Sequence, residues 1–475
     1  MFIVFKNRVM YHKSEDVKNM NIEESYKTQK AYFNSFETRN VEKRKDVLTR
    51  IMNWLEEHED DINQALKLDL GKTRAEAYLS EIGLIYDAFS VIEKNIDKWT
   101  KRRKVGSPIR ALLFRSFTVY EPYGTVLVMS PWNYPYLLSM EPVLYAIAAG
   151  NTVVLKPSEY APNTAEIFTR LAEDLGEPGL LSVIQGDART SRELLTYKWD
   201  YIFFTGSTSV GKVVYKRAAE NLTPVTLELG GKSPTIVTNS IDIDVAAKRI
   251  AFGKFLNAGQ TCVAPDYVFV HESVKDQFID RLKHYIHEFF GDNPLESESL
   301  CKIINRKHFN RLLSLVDHQN ILIGGSASER SLKIAPTVID GVQESDAIMQ
   351  QEIFGPILPV MTYQDIDEVI AYINNHPKPL ALYLFTEDKE IQDKVLDRCS
   401  FGGGCINDTI MHLSDHDLPF GGVGDSGIGA YHGNYSFETF SHEKSVLTSS
   451  TKRDINFRYY PLTEDKEYQI RKQLK

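Results

Sequence analysis

Tyr201-Ile-Phe-Phe-Thr-Gly-Ser-Thr-Ser-Val-Gly211 is a short apolar run, a glycine turn and the opening of a helix. Tyr201 to Phe204 have the length and apolarity of a strand buried on both faces. Val210, Val213, Val214 and Ala218 then fall on one face of a helix that begins at Ser207. The same alternation repeats on either side. Val126 to Met129, Val153 to Leu155, Leu181 to Ile184, Val225 to Leu229 and Thr235 to Val237 read as strands, while Pro135 and Pro162 mark helix starts. Strand, helix, strand repetition predicts an α/β fold around a parallel sheet covered on both faces. The carboxyl ends of such strands are where a dinucleotide binds by default, with its pyrophosphate at a helix N-terminus. The turn at Gly206 lacks the Gly-x-Gly-x-x-Gly spacing, so by itself it is a weak sign.

Outward from this block, Val47, Leu48, Ile51, Leu55, Ile62 and Leu66 recur at helical spacing between Val41 and Leu70. A second α/β block runs from about Asp242 to Asn407, with Tyr267 to Val270 and Leu380 to Phe385 as its clearest strands. Phe401 to Gly433 is dense in glycine, and Thr451 to Lys475 is a charged tail with no apolar anchor. Residues 1–20 are polar and read as an N-terminal arm, with Met20 an alternative start.

The 475 residues, 43% of them hydrophobic, suffice for a large core in two or three units. A net charge of −9 argues against nucleic acid as a partner. The four cysteines show no Cys-x-x-Cys spacing, which fits a reducing cytoplasm. The 12 histidines form no His-Glu-x-x-His or compact ligand set, so no metal site is expected. Tyr134 to Ala149 is apolar but contains Glu141 and Pro142 and falls short of the ~20 residues of a membrane span. No Gly-x-Ser-x-Gly elbow and no phosphate-binding loop of the Gly-x-x-x-x-Gly-Lys-Ser/Thr kind supports a hydrolase or an ATPase.

Chemistry concentrates in a few places. Asn257-Ala-Gly-Gln-Thr-Cys262 sets a cysteine after a glycine-containing turn, where backbone amides can face a reacting group. Thr226-Leu-Glu-Leu-Gly-Gly-Lys-Ser-Pro234 ends an apolar run with Glu228, and desolvation there would raise its pKa toward that of a general base. Ser130-Pro-Trp-Asn-Tyr-Pro135 lets the Asn133 amide project as an oxyanion donor, worth ~3 kcal/mol in a transition state. Lys156-Pro-Ser-Glu159 offers a carboxylate for a ribose 2′-hydroxyl, and Gln351-Glu-Ile-Phe-Gly-Pro356 places Glu352 and Phe354 in one turn. Each has a plainer reading alone: a packed thiol, an ion-paired Glu228, a turn Asn133, a surface Lys156–Glu159 pair, and loop packing at Glu352 and Phe354.

Together their order and spacing resemble the aldehyde dehydrogenase superfamily from about Asn21 to Leu447. NAGQTCVAPDY at 257–267, NDTIMH at 407–412, LPFGGVG at 418–424 and YHGNYSFETFSH at 431–442 are similar to its class-three and fatty-aldehyde branch. The resemblance implies that Cys262 attacks an aldehyde, that Asn133 and the Cys262 N–H hold the oxyanion, and that Glu228 activates the water that releases the acid. It further implies cofactor contacts at Lys156, Glu159, Gly206, Ser207, Glu352 and Phe354. The implied cofactor is NAD, with NADP also accepted in this branch. Tyr134, Ile410, Ser414 and His432 would line the tunnel for an apolar aldehyde: aromatic, long-chain or polyene.

The implied architecture is a Rossmann-type cofactor domain (21–103 and 124–230), an α/β catalytic domain (231–431), and a small β oligomerisation element (104–123 and 432–450) that forms a homodimer. In that element Leu112, Leu113, Phe114, Phe117, Val119 and Tyr120 are apolar enough to need a cover. The charged tail, 451–475, departs from membrane-bound relatives, which carry an apolar one. Two rival readings share the fold: a coenzyme A-acylating enzyme, against which Glu228 speaks, and a non-catalytic binding protein, against which the joint presence of Cys262, Glu228 and Asn133 speaks.

Overall fold

The computed structural model describes residues 21–106 and 114–474. The N-terminal arm, Leu112 and Leu113 lie outside the described residues. The α/β expectation holds, in two parallel sheets. The first has six strands in the order Gly427–Ile428, Val225–Glu228, Tyr201–Thr205, Thr125–Met129, Thr152–Lys156, Leu181–Val183. All pair in parallel except Gly427–Ile428, which runs antiparallel to Val225–Glu228 with Gly427 opposite Glu228. The central strands are buried throughout, as expected of a sheet covered on both faces. The predicted glycine turn is present: Tyr201–Thr205 leads through Gly206 and Ser207 into the helix Thr208–Glu220.

The second sheet has seven strands: Asn320–Ile323, Thr337–Asp340, Ile357–Tyr363, Tyr267–His271, Pro234–Val237, Ala381–Phe385 and Gly403–Ile406. Only its edge strand Asn320–Ile323 is antiparallel to its neighbour. A third sheet is antiparallel and three-stranded, with Phe114–Pro122 between Arg103–Val105 and Ser441–Ser449.

Three segments differ from the sequence reading. The helical pattern of Val41 to Leu70 is two helices, Val41–Glu57 and Glu59–Leu70, meeting at His58. The start of the 432–450 segment is a short helix, Gly433–Thr439, not a strand, because Phe437 is drawn into the core against Trp99, ring to ring at 5.0 Å. Gly427–Ile428, counted with the second unit, completes the edge of the first sheet. The charged tail carries a helix of its own, Glu464–Leu474. Among the described residues no helix is long and apolar enough to cross a membrane, and no cluster of His, Cys, Asp and Glu is arranged to hold a metal ion.

The helix Leu137–Ala149 is the buried axis of the first unit, and its start is pinned electrostatically. Glu81 accepts the backbone N–H groups of Tyr136 (2.8 Å) and Leu137 (3.1 Å), two donors that a helix start leaves unpaired. Its other oxygen meets Lys72 Nζ at 2.6 Å, with both side chains fully buried. Burial pushes the Glu81 pKa up, and Lys72 opposes that shift. Removing one partner of a buried pair leaves the other uncompensated. Lys72→Met is therefore expected to lower stability by about 3 kcal/mol, read as a drop in the denaturant midpoint; an unchanged midpoint would show that the pair contributes nothing.

Candidate active site

In the first sheet Thr125–Met129 and Tyr201–Thr205 lie side by side, and successive strands leave this pair in opposite directions. A crevice opens outside their carboxyl ends. Asn133 follows the first of these strands, Gly206 and Ser207 follow the second, and Glu228 ends the adjacent strand Val225–Glu228. Cys262 comes from the second unit, in the loop between the helix Ile243–Phe255 and the strand Tyr267–His271.

Cys262 stands where two cavities meet. One, about 240 Å³, is lined by Asn133, Gly206, Ser207, Glu228, Glu352 and Phe354 as well as Cys262. The other, about 210 Å³, is mainly apolar and is lined by Tyr134, Leu137, Ile410, Ser414, Tyr431 and His432, again with Cys262. Thus the residues singled out in sequence for catalysis and for an apolar substrate converge on one sulfur. Lys156 and Glu159 sit apart, the first ending the neighbouring strand and the second following it, and form an ion pair of 3.1 Å with Lys156 buried. A larger cavity of about 460 Å³ shares Glu352 and Gly230 with the crevice but does not reach Cys262.

The electrostatics follow from burial. Glu228 is 2% exposed, and neither carboxylate oxygen has a hydrogen-bond partner among the described residues, so the ion-pair reading of this residue does not hold. Desolvation, then the nearby Glu141, raise its pKa well above the ordinary carboxylate value. Burial pushes the Cys262 thiol up to about 12; the Glu352 and Glu228 carboxylates add to the shift, and the backbone N–H groups of Cys262 and Val263 oppose it. Glu352 is raised to about 8 by burial, helped by Asp266. The Asn133 side-chain amide makes no hydrogen bond to the described residues, whereas its carbonyl accepts from Asn257 Nδ2 at 2.8 Å. The Asn133 side chain, which lines the crevice together with Cys262, is thus without a hydrogen-bond partner among the described residues.

The cysteine loop has an unusual backbone. Asn257, Ala258 and Gly259 take φ values of 53°, 52° and 70°, three left-handed residues in succession. Gly259 is obligatory, because a Cβ there would lie 2.3 Å from the Gly355 carbonyl oxygen. Gln260 closes the turn: its Nε2 donates to the carbonyls of Asn257 (3.1 Å) and Lys302 (3.0 Å), and its Oε1 accepts from Ile304 N–H (3.0 Å). Gln260 was visible in the quoted motif, but its bracing role was not.

A family model, the aldehyde dehydrogenase family, matches residues 6–446. The chain belongs to the aldehyde dehydrogenase family. It is an oxidoreductase. It is 49% identical over 433 residues to the 4,4'-diaponeurosporen-aldehyde dehydrogenase of Staphylococcus aureus, covering 91% of this chain and 94% of that one. It is 41% identical over 436 residues to aldehyde dehydrogenase family 3 member A2 of Pongo abelii, covering 91% and 90%. The solved substrate-bound state of Staphylococcus aureus AldH superimposes with a TM-score of 0.94 at 47% identity, covering 96% of this chain and all of that one. The class-three resemblance read from the motifs stands.

Groups that no motif announced also stand at this site: Glu141 and His416 line the apolar cavity, and Glu76 and Glu81 bond to the loops of Cys262 and Asn133. A thiol with a pKa about 12 ionises tenfold more per pH unit well below that value. In cofactor-free enzyme, iodoacetamide labelling of the Cys262 peptide should climb about tenfold per unit from about pH 7 to 10 without levelling; a plateau below about pH 8 would contradict the burial argument.

Proposed function

We propose that this aldehyde dehydrogenase oxidises an apolar aldehyde to its carboxylic acid with NAD(P), through a covalent Cys262 intermediate. The observation that carries this reading is the position of Cys262 between an apolar channel and a polar crevice holding Glu228 and Asn133. The Cys262 thiolate adds to the aldehyde carbon, and the Asn133 amide and the Cys262 N–H receive the oxyanion of the thiohemiacetal. A bound nicotinamide cofactor supplies the acceptor for the hydride. The thioester left on Cys262 is hydrolysed by water that Glu228 deprotonates. Aldehyde, water and oxidised cofactor thus give acid, reduced cofactor and a proton. Because burial raises the Glu228 pKa, its base form is lost as pH falls, and hydrolysis should slow on the acid side.

The crevice fits a dinucleotide. The helix Thr208–Glu220 directs its first N–H groups toward Gly206 and Ser207 for a pyrophosphate, while Glu352 and Phe354 flank the cavity where a nicotinamide ribose and ring would lie. The Glu159 carboxylate suits a 2′-hydroxyl and favours NAD; the adjacent Lys156 is a counter-charge that leaves NADP acceptable.

Among apolar aldehydes we favour aromatic, long-chain and polyene substrates. The channel lining is apolar, Leu79, Phe252 and Met411 stand exposed at its rim, and the Staphylococcus aureus relative carries the name of a polyene aldehyde dehydrogenase. We assign 21–103 with 124–230 to cofactor binding and 231–431 to catalysis. The long, largely exposed edge strand Ser441–Ser449 offers unpaired backbone groups for homodimer formation. Four free cysteines accord with a cytoplasmic protein.

Cys262→Ala should abolish NADH formation, whereas Glu228→Gln should give one NADH per active site and then stall; steady turnover by either variant would remove the assigned role. Wild-type enzyme should yield NADH and free acid without coenzyme A. Strict dependence on coenzyme A would replace hydrolysis with acyl transfer to a thiol.

A further inference from the structure

The left-handed turn before Cys262 is held from outside by a carboxylate. Glu76 lies in the one-turn helix Arg74–Ala77, whose N-cap Thr73 accepts the Glu76 N–H at 3.2 Å. Its Oε1 accepts the backbone N–H of Asn257 at 2.8 Å and faces the Cys301 thiol at 3.3 Å. Asn257 is buried and begins the left-handed run, and among the described residues Glu76 is the acceptor its N–H meets. Leaving a buried N–H unpaired disfavours that geometry. The same Asn257 then donates through Nδ2 to the carbonyls of Asn133 (2.8 Å) and Gln260 (3.2 Å). One carboxylate therefore fixes the residue that couples the loop of the nucleophile to the loop of the oxyanion donor.

The surrounding contacts repeat the theme. Lys72 Nζ lies 4.1 Å from the centre of the Tyr134 ring, and the Tyr134 hydroxyl is 2.5 Å from Thr261 Oγ1, next to Cys262. The segment 72–81, remote in sequence from both loops, meets each of them with a buried or half-buried polar side chain.

We infer that Glu76 is a positioning residue of this active site, setting the register between Cys262 and Asn133 through the backbone and side chain of Asn257. The inference rests on the reading of Cys262 as nucleophile and Asn133 as oxyanion donor. What matters is an acceptor oxygen at that reach, not a negative charge. Glu76 lines neither the crevice nor the apolar cavity, so its loss should slow chemistry while leaving cofactor affinity in place.

Two conservative variants separate reach from charge. Glu76→Gln keeps an acceptor oxygen at the same distance and loses the charge. Glu76→Asp keeps the charge and withdraws the acceptor. With decanal and NAD, Glu76→Asp should lower kcat about tenfold or more, as small misplacements of reacting groups do, with the KM for NAD altered less than about threefold. Glu76→Gln should stay within about threefold of wild type in both. Hydrogen exchange of the peptide spanning Asn257 and Cys262 supplies a readout independent of turnover: about tenfold faster in Glu76→Asp and near wild type in Glu76→Gln. Equal behaviour of the two variants, or the reverse order, would overturn the inference. Should wild type fail to oxidise aldehydes, the functional reading falls, and the exchange order alone still decides whether Glu76 sets the turn.

Discussion

Asn257 is the hinge on which the site depends. Its N–H is held by Glu76, its amide nitrogen by the Asn133 carbonyl, and its own conformation is left-handed. Left-handed geometry at a non-glycine residue costs roughly 1 kcal/mol or more, and here Asn257 and Ala258 adopt it in succession. That cost persists because three chain segments over-determine the turn: the helix at Glu76, the Gly355 carbonyl against Gly259, and the 302–304 segment around Gln260. The two sheets contribute their loops separately. The turn makes one site of them.

The second constraint is dryness. Glu228 and Cys262 are poor acids in this setting chiefly because each would carry its charge away from water, and neighbouring carboxylates add to the effect. Burial thus disfavours the charged form of both groups. Activation then has to come from what enters the crevice. A cation near the sulfur would favour the thiolate, and water near Glu228 would restore it as a base. Apolar walls on the substrate side and amide donors on the other thus act together, since donors are worth most where water is absent.

The sequence carried the sheets and the chemical centre because both are local. A parallel strand buried on two faces is a continuous apolar run, so Tyr201–Thr205 and Thr152–Lys156 could be read directly; Glu228 ends such a run, and Cys262 follows a local glycine-containing turn. Glu76, Glu81 and Lys72 gave no signal, since charges on a helical stretch ordinarily face water and their partners lie far along the chain: Asn257 is 181 residues from Glu76 and Tyr136 is 55 from Glu81. Gly427–Ile428 was hidden for a related reason, being two residues within a glycine-dense stretch whose partners, Glu228 and Leu227, lie far along the chain. The helix Gly433–Thr439 shares a motif with the strand after it, and its Phe437 packs against Trp99 and Tyr120, partners distant in sequence.

The central claim is that the carbon skeleton of the aldehyde passes through a bond to Cys262. Acid-quenching the enzyme within its first turnover with decanal and NAD, followed by peptide mass analysis, examines that bond itself. The account predicts a decanoyl adduct confined to the peptide containing Cys262, formed in step with NADH and lost as acid appears. Turnover with no adduct there, or an adduct on Cys301, Cys399 or Cys405 instead, would contradict it.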